Sequence, residues 1–242
     1  MNELLNKKPR VLVIIPAHNE AESLAAVITD IRSSMECDIV VVNDGSTDRT
    51  AEIALNENVE LLNLPFNLGI GSTMQTGYQF AFREGYDIAV QTDGDGQHIA
   101  GFLPDLLAPI IAGESDFIVG SRYLADTKYS GSRGRRAGTA MFSSVLSLMV
   151  RQKLTDATSG FRAADKPLIA QFAGDYPRDY PEVETLLQAH MTGFRIREIP
   201  VEMRKRGGGR SSINRFRSVY YVVKVLLSLM VVASRKRTTR PS

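Results

Sequence analysis

Cysteine is almost absent from this 242-residue chain. The single Cys37 cannot form an internal disulfide, so the expected setting is a reducing compartment and the fold must rest on its core. An excess of one charge is also missing, since 29 Lys and Arg against 27 Asp and Glu leave a net charge of +2. That balance excludes a global field for nucleic acid. Long hydrophobic runs are missing as well. Lys7-Lys-Pro-Arg10 precedes only five apolar residues, 11–15, before Pro16 and His18-Asn-Glu20, which reads as a core strand and not as a secretory signal. Segment 219–233 is apolar but shorter than the ~20 residues a spanning helix needs, and Lys224 breaks it. Two phosphate cradles are missing too: no Gly-x-Gly-x-x-Gly follows the first strand, and there is no Gly-Lys-Ser/Thr loop.

What is present is an ordinary globular balance, 43% hydrophobic and 23% charged. Apolar runs alternate with amphipathic stretches, the pattern of βαβ units around a mostly parallel sheet. Strands are expected at 11–15, 38–42, 59–62, 86–90, 117–120 and 195–203. Leu24, Val27, Ile28, Ile31 and Met35 recur at helical spacing. Further helices are expected over 70–85, 137–151 and 181–192. Tyr129-Ser-Gly-Ser-Arg-Gly-Arg-Arg136 reads as a mobile loop, and Gly207-Gly-Gly209 as a hinge. Basic residues crowd the last third, in Met203-Arg-Lys-Arg206, Arg210, Arg215, Arg217 and Ser234-Arg-Lys-Arg237. A local basic surface of this kind seeks phosphates, on a substrate or on lipid headgroups. With basic flanks and tyrosines at one end, 219–233 fits a helix lying in a bilayer interface, or one docked on the core or a partner.

The most informative segment is Gln91-Thr-Asp-Gly-Asp-Gly-Gln-His98, which directly follows the apolar run 86–90. Asp93 and Asp95, two residues apart at a strand end, can face the same ligand. Gly94 and Gly96 allow the backbone to turn and approach it. Paired carboxylates of this kind suit a hard divalent cation that also grips a diphosphate. Ligands of open parallel sheets sit beyond the carboxyl ends of the strands. Pro16-Ala-His-Asn-Glu20 and Asn43-Asp-Gly-Ser46 stand at two further such ends. His18 and His98 lack partners at metal-ligand spacing and read as structural or peripheral.

Four strings carry a family resemblance: Val13-Ile-Ile-Pro-Ala-His-Asn-Glu20, Val41-Val-Asn-Asp-Gly-Ser-Thr-Asp48, Asn67-Leu-Gly69 and Thr92-Asp-Gly-Asp-Gly-Gln-His98. In order and spacing the chain resembles inverting glycosyltransferases of family 2, which have the GT-A fold. Gly120-Ser-Arg-Tyr123, Thr158-Ser-Gly-Phe-Arg162 and Pro181-Glu-Val-Glu184 are similar to the dolichyl/polyprenyl-phosphate mannosyl- and glucosyltransferase branch. The resemblance implies an α/β GT-A domain over residues 1–210, with a nucleotide-binding half at 10–97 and an acceptor half at 98–210. Residues 211–242 would form the basic, apolar helix for membrane or partner contact.

It further implies that Pro16, Ala17, Glu20 and Asp44 hold the nucleotide, with Gly94 lining the donor. Asp93, Asp95 and Gln97 would bind Mg²⁺ or Mn²⁺. Arg122 would face the donor diphosphate or the acceptor phosphate, and Arg206 would close over the site. Where relatives carry a lysine shortly after that arginine, this chain has Ser212, with Arg210 as a substitute. The expected reaction moves a hexose from a UDP-, GDP- or dTDP-sugar to a polyprenyl phosphate. The enzyme would be cytoplasmic and peripheral at the inner face of the cell membrane.

An ionised acceptor phosphate needs no general base but does need positive groups. Arg122, Arg133, Arg135, Arg136 and Arg162, with Ser159, are the candidates. An acceptor sugar hydroxyl would need a base, for which Glu184, Glu182 and Asp156 are available. Glu182 and Glu184 equally fit a helix start, where acidic residues complement the dipole. A non-catalytic nucleotide-sugar-binding subunit is the alternative of another class.

Overall fold

The computed structural model describes residues 8–124, 133–204 and 215–234. Seven strands form one sheet in the order β3-β2-β1-β4-β6-β5-β7. They are β1 (Val11–Ala17), β2 (Asp38–Asp44), β3 (Glu60–Leu64), β4 (Ile88–Gln91), β5 (Phe117–Ser121), β6 (Arg162–Asp165) and β7 (Ile196–Pro200). Strands β3, β2, β1 and β4 run parallel, as do β5 and β7. The short β6 lies antiparallel between β4 and β5 and joins the two parallel groups.

The helices are α1 (Leu24–Ser34), α2 (Thr50–Asn56), α3 (Ile70–Arg83), α4 (Leu103–Ile111), α5 (Arg133–Val150), α6 (Lys166–Gly174), α7 (Pro181–Met191) and α8 (Arg215–Ser234). Strand alternation sorts the core into two layers. Leu12, Ile14, Val40 and Val42 face one side and pack with Tyr78, Phe142, Phe172, Leu186 and Leu229. Val13, Ile15, Val41 and Val90 face the other, against Leu24, Ile28, Leu103 and Leu106. Each such aliphatic side chain fully buried contributes roughly 1.5–3 kcal/mol.

The strand periodicity of the sequence is found again, with β1 and β2 each two residues longer. The extra residues lie at the polar strand ends that carry the site. Residues 133–136 depart from expectation, because α5 begins at Arg133 where a loop was anticipated. Helices α4 and α6 and strand β6 had no expectation attached. The β6 segment holds only four residues, too few to display a period.

Helix α8 packs one face on α7, burying Val225, Leu229 and Val232, and leaves Leu227, Met230 and Val231 exposed. Among the described residues, no helix is long and apolar enough to cross a membrane.

Candidate active site

The site is assembled by sheet order. Strand β1 lies between β2 and β4, with Ala17 opposite Asn43 and Ile14 opposite Gln91. The loops after these three strands therefore emerge side by side, at the carboxyl edge where α/β folds bind ligands.

The first two loops are stitched together by hydrogen bonds. Asn19 donates its N–H to Ser46 Oγ at 2.9 Å and accepts the Thr47 N–H at 2.8 Å. Glu20 donates its N–H to Thr50 Oγ1, and Ala21 donates to Asp48 Oδ2. Asp44 is buried and accepts the Leu68 N–H at 2.7 Å and the Gly69 N–H at 3.0 Å. It thereby ties the Asn67-Leu-Gly69 motif to the end of β2. Gly45 makes this possible with φ +62° and a backbone pressed against Phe66.

The third loop joins the first through Ser23, whose Oγ donates to Gly94 O at 2.7 Å and lies 3.1 Å from Glu20 Oε2. Gly94 itself faces the Pro16 carbonyl. Asp95 accepts the Gln97 N–H at 3.0 Å, which turns the chain back after the carboxylate pair. Gln97 O then accepts the Arg204 N–H at 2.8 Å, and His98 bridges Met203. Arg204 is held in turn by Asp30 at 2.9 Å. The chain running into 205–214 thus departs from beside the carboxylate loop. Arg206, Gly207, Gly208, Gly209, Arg210 and Ser212 lie outside the described residues.

His98 is buried, with its ring stacked 4.9 Å from Phe161. Its Nδ1 accepts the Asp93 N–H at 3.1 Å and lies 3.2 Å from Thr92 Oγ1. Burial pushes its pKa down to about 4, with Arg122 pushing the same way and Asp95 and Asp156 opposing. The ring is neutral at physiological pH. Of the two expected roles, structural or peripheral, His98 takes the structural one, packed against the carboxylate loop.

Arg122 is 8% exposed and grips the fully buried Asp156 in a fork, Nε to Oδ2 at 2.6 Å and Nη2 to Oδ1 at 2.7 Å. Nη2 also donates to Thr158 Oγ1, which lies 3.1 Å from Thr139 Oγ1 on α5. Glu198 of β7 accepts the Thr155 and Asp156 N–H groups and holds the Asp156 turn in place. Burial pushes the Glu198 pKa up, and those hydrogen bonds oppose the rise.

Several anticipated roles change in this light. Asp156 is committed to Arg122 and is no free base. Arg162 is 2% exposed, and its guanidinium donates to Ser159 O, Ala157 O and Thr185 Oγ1, so it is a core group and not an open phosphate ligand. Ser159 is likewise buried beside it, with its hydroxyl accepting the Phe161 N–H. Glu184 is buried and accepts the Ser228 hydroxyl of α8. Glu182 differs from these: it is half-buried, and burial pushes its pKa up, with Arg162 opposing and Asp93 adding to the rise. Arg136 is exposed on the first turn of α5, while the side chains of Arg133 and Arg135 lie outside the described residues.

A position with no role assigned from sequence is Gly160. A Cβ there would lie 3.0 Å from Asp93 Oδ1 and 3.1 Å from Oδ2. The motif Thr158-Ser-Gly-Phe-Arg162 is visible in sequence, but its place beside Asp93 follows from Gln91 pairing with Arg162. Asp93 and Asp95 with Gln97 present oxygen donors on one turn, which fits Mg²⁺ or Mn²⁺. Among the described residues no group of three or more His, Cys, Asp and Glu gathers as a metal cage. Such a cation would complete its shell with diphosphate oxygens and water, as Mg²⁺ commonly does.

The sheet and its three converging loops define the GT-A fold. A solved glucosyl-3-phosphoglycerate synthase from Mycobacterium tuberculosis, crystallised with Mn²⁺, UDP and glucosyl-3-phosphoglycerate, superposes with a TM-score of 0.73. The superposition covers 94% of this chain and 82% of that one at 20% identity. The chain belongs to glycosyl transferase family 2, whose family model matches residues 12–172. An undecaprenyl-phosphate mannosyltransferase of Micrococcus luteus is 30% identical over 85% of this chain and 88% of its own length. A polyprenol monophosphomannose synthase of Mycolicibacterium smegmatis is 28% identical over 85% of this chain and 81% of its own.

Proposed function

We propose that this glycosyltransferase moves a hexose, with inversion, from a nucleotide-diphosphate sugar to a polyprenyl phosphate at the cytoplasmic face of a membrane. The observation that carries the reading is the Asp93/Asp95 pair at the end of β4, flanked by the loops of β1 and β2. Mg²⁺ or Mn²⁺ at Asp93, Asp95 and Gln97 would stabilise the negative charge of the departing nucleotide as a Lewis acid. Pro16, Ala17, Glu20, Asp44 and Gly94 line the nucleotide side. The two mannosyl-transferring relatives, named for polyprenyl phosphates, support the acceptor class.

An acceptor phosphate is already ionised near neutral pH and attacks without a general base. Arg133, Arg135 and Arg136 occupy the first turn of α5, where the helix dipole is positive and an anion is stabilised. Thr158 links that helix to Arg122 through Thr139. These features support a phosphate beside the start of α5. The exposed Leu227, Met230 and Val231 of α8 support a membrane-facing surface. Replacing all three by Asp should abolish flotation with anionic liposomes; unchanged flotation removes α8 from the membrane reading.

The central test is thermal stability against UDP-, GDP- and dTDP-sugars, each with and without Mn²⁺. A donor at 100 times its Kd adds about 2.7 kcal/mol of stability. The expected result is one donor that stabilises only with metal and loses the effect in Asp95→Asn, followed by transfer to polyprenyl phosphate. No stabilisation by any donor overturns the reading and favours a non-catalytic role.

The surroundings of Glu182 favour one second reading, transfer to a sugar hydroxyl with Glu182 as base. Under it Glu182→Gln loses turnover while keeping donor binding; under the phosphate reading turnover survives.

A further inference from the structure

His98 is buried and held on several sides beside the carboxylate pair, and nothing in the transfer chemistry uses it. Its main chain is bridged to Met203, its ring is stacked on Phe161, and its Nδ1 accepts the Asp93 N–H. A neutral imidazole that accepts at Nδ1 carries its proton on Nε2. Among the described residues that Nε2 is buried without a hydrogen-bond partner, and Asp93 Oδ2 lies 3.6 Å away. A buried donor left without an acceptor is costly, so its persistence beside a carboxylate calls for a reason. The other side of the same carboxylate is closed by Gly160, where even a methyl group would lie 3.0 Å from Oδ1.

We propose that His98 is the positioning residue of Asp93. Its Nδ1 accepts the main-chain N–H of Asp93 and fixes it, and its Nε2–H donates to Oδ2 when Asp93 engages a divalent cation, which leaves Oδ1 for the metal. A shift of about 0.5 Å brings the 3.6 Å gap to hydrogen-bond distance. A partner of this kind orients a ligand that would otherwise rotate, and its loss typically weakens metal binding about 10–100-fold. The inference rests on the reading of Asp93 as a cation ligand. It adds how that ligand is held.

Two substitutions separate the two ring nitrogens. In His98→Asn the amide oxygen stands near the place of Nδ1 and keeps an acceptor for the Asp93 N–H, but no donor reaches Oδ2. In His98→Gln the amide NH₂ reaches toward the place of Nε2 and restores that donor. The measurements are the Mn²⁺ dissociation constant, alone and with UDP or GDP, read from the electron paramagnetic resonance of free Mn²⁺, and the melting temperature without metal. The expected result is Mn²⁺ affinity about tenfold weaker or more in His98→Asn, recovered to within about threefold in His98→Gln. Wild-type affinity in His98→Asn overturns the proposal. Equal losses of affinity and melting temperature in both variants also overturn it, because they mark a purely structural histidine.

A measurement on the unsubstituted protein stands beside these. Nitrogen-15 NMR of the ring should show the proton on Nε2 and a downfield move of that proton when Mg²⁺ and the nucleotide diphosphate are added; an unmoved resonance in a protein that binds both overturns the proposal. If the wild-type protein shows no metal-dependent binding of any nucleotide sugar, the functional reading falls and this inference with it. If it binds and His98→Asn binds equally, only this inference falls.

Discussion

Gly160 lies against the carboxylate of Asp93, so closely that a Cβ would stand 3.0 Å from Oδ1 and 3.1 Å from Oδ2. The side chain can yield, because it is the far end of Asp93 that is met, but it yields away from its present position. Gly160→Ala is therefore expected to cost little stability, on the order of 1 kcal/mol, and to weaken Mn²⁺-dependent donor binding about tenfold or more. Melting temperature and donor titration on the same sample separate the two effects.

Asp44 depends on its neighbour in a different way. Its carboxylate holds the Leu68 and Gly69 N–H groups only because Gly45, at φ +62°, lets the chain pass against Phe66. A Cβ at Gly45 would lie 2.5 Å from the Phe66 carbonyl carbon and 2.6 Å from Asn67 N. Backbone cannot yield as a side chain does. Gly45→Ala should cost at least about 2 kcal/mol in urea denaturation, with nucleotide affinity falling alongside.

The Arg122–Asp156 fork is buried on both sides, with contacts of 2.6 and 2.7 Å. Asp156→Ala takes from a buried guanidinium the carboxylate that grips it at both Nε and Nη2. A loss of about 3–5 kcal/mol is expected from equilibrium unfolding. A loss below about 1 kcal/mol would mean that Arg122 swings to solvent and that the pair is not built into the folded state.

Cys37 offers a test through pH. Burial, aided by Asp38 and opposed by Arg32, pushes its pKa up to about 11. At pH 8 its thiolate fraction is then about 100-fold below that of a thiol titrating near 9, while its greater basicity recovers roughly tenfold in reactivity. Alkylation by iodoacetamide should run about tenfold slower than that of a free thiol. It should quicken with each pH unit up to about 11, and a plateau near pH 9 would contradict the burial of this thiol.

Much of the site was legible before any fold. Asp93, Asp95, Asp44 and Glu20 stand at the ends of apolar runs, and a strand end in a parallel sheet is where ligands gather. The arginines were harder to read. Arg122, Arg136 and Arg162 look alike in sequence, yet Arg122 is locked to Asp156, Arg136 is exposed on α5 and Arg162 is inside the core. Charge type does not reveal burial, because a guanidinium can satisfy itself on backbone carbonyls as well as on phosphate.

The sequence by itself determined six of the seven strands, the glycines that let the chain turn, and the carboxylate pair, because each is a local pattern of side chains two to four residues apart. Only the tertiary structure decided that the antiparallel β6 would bring Gly160 against Asp93. It also decided that the chain after β7 would return to Gln97 and His98. Those neighbours are 67 and more than 100 positions apart along the chain. Strand order and direction set such distances, and no local period records them.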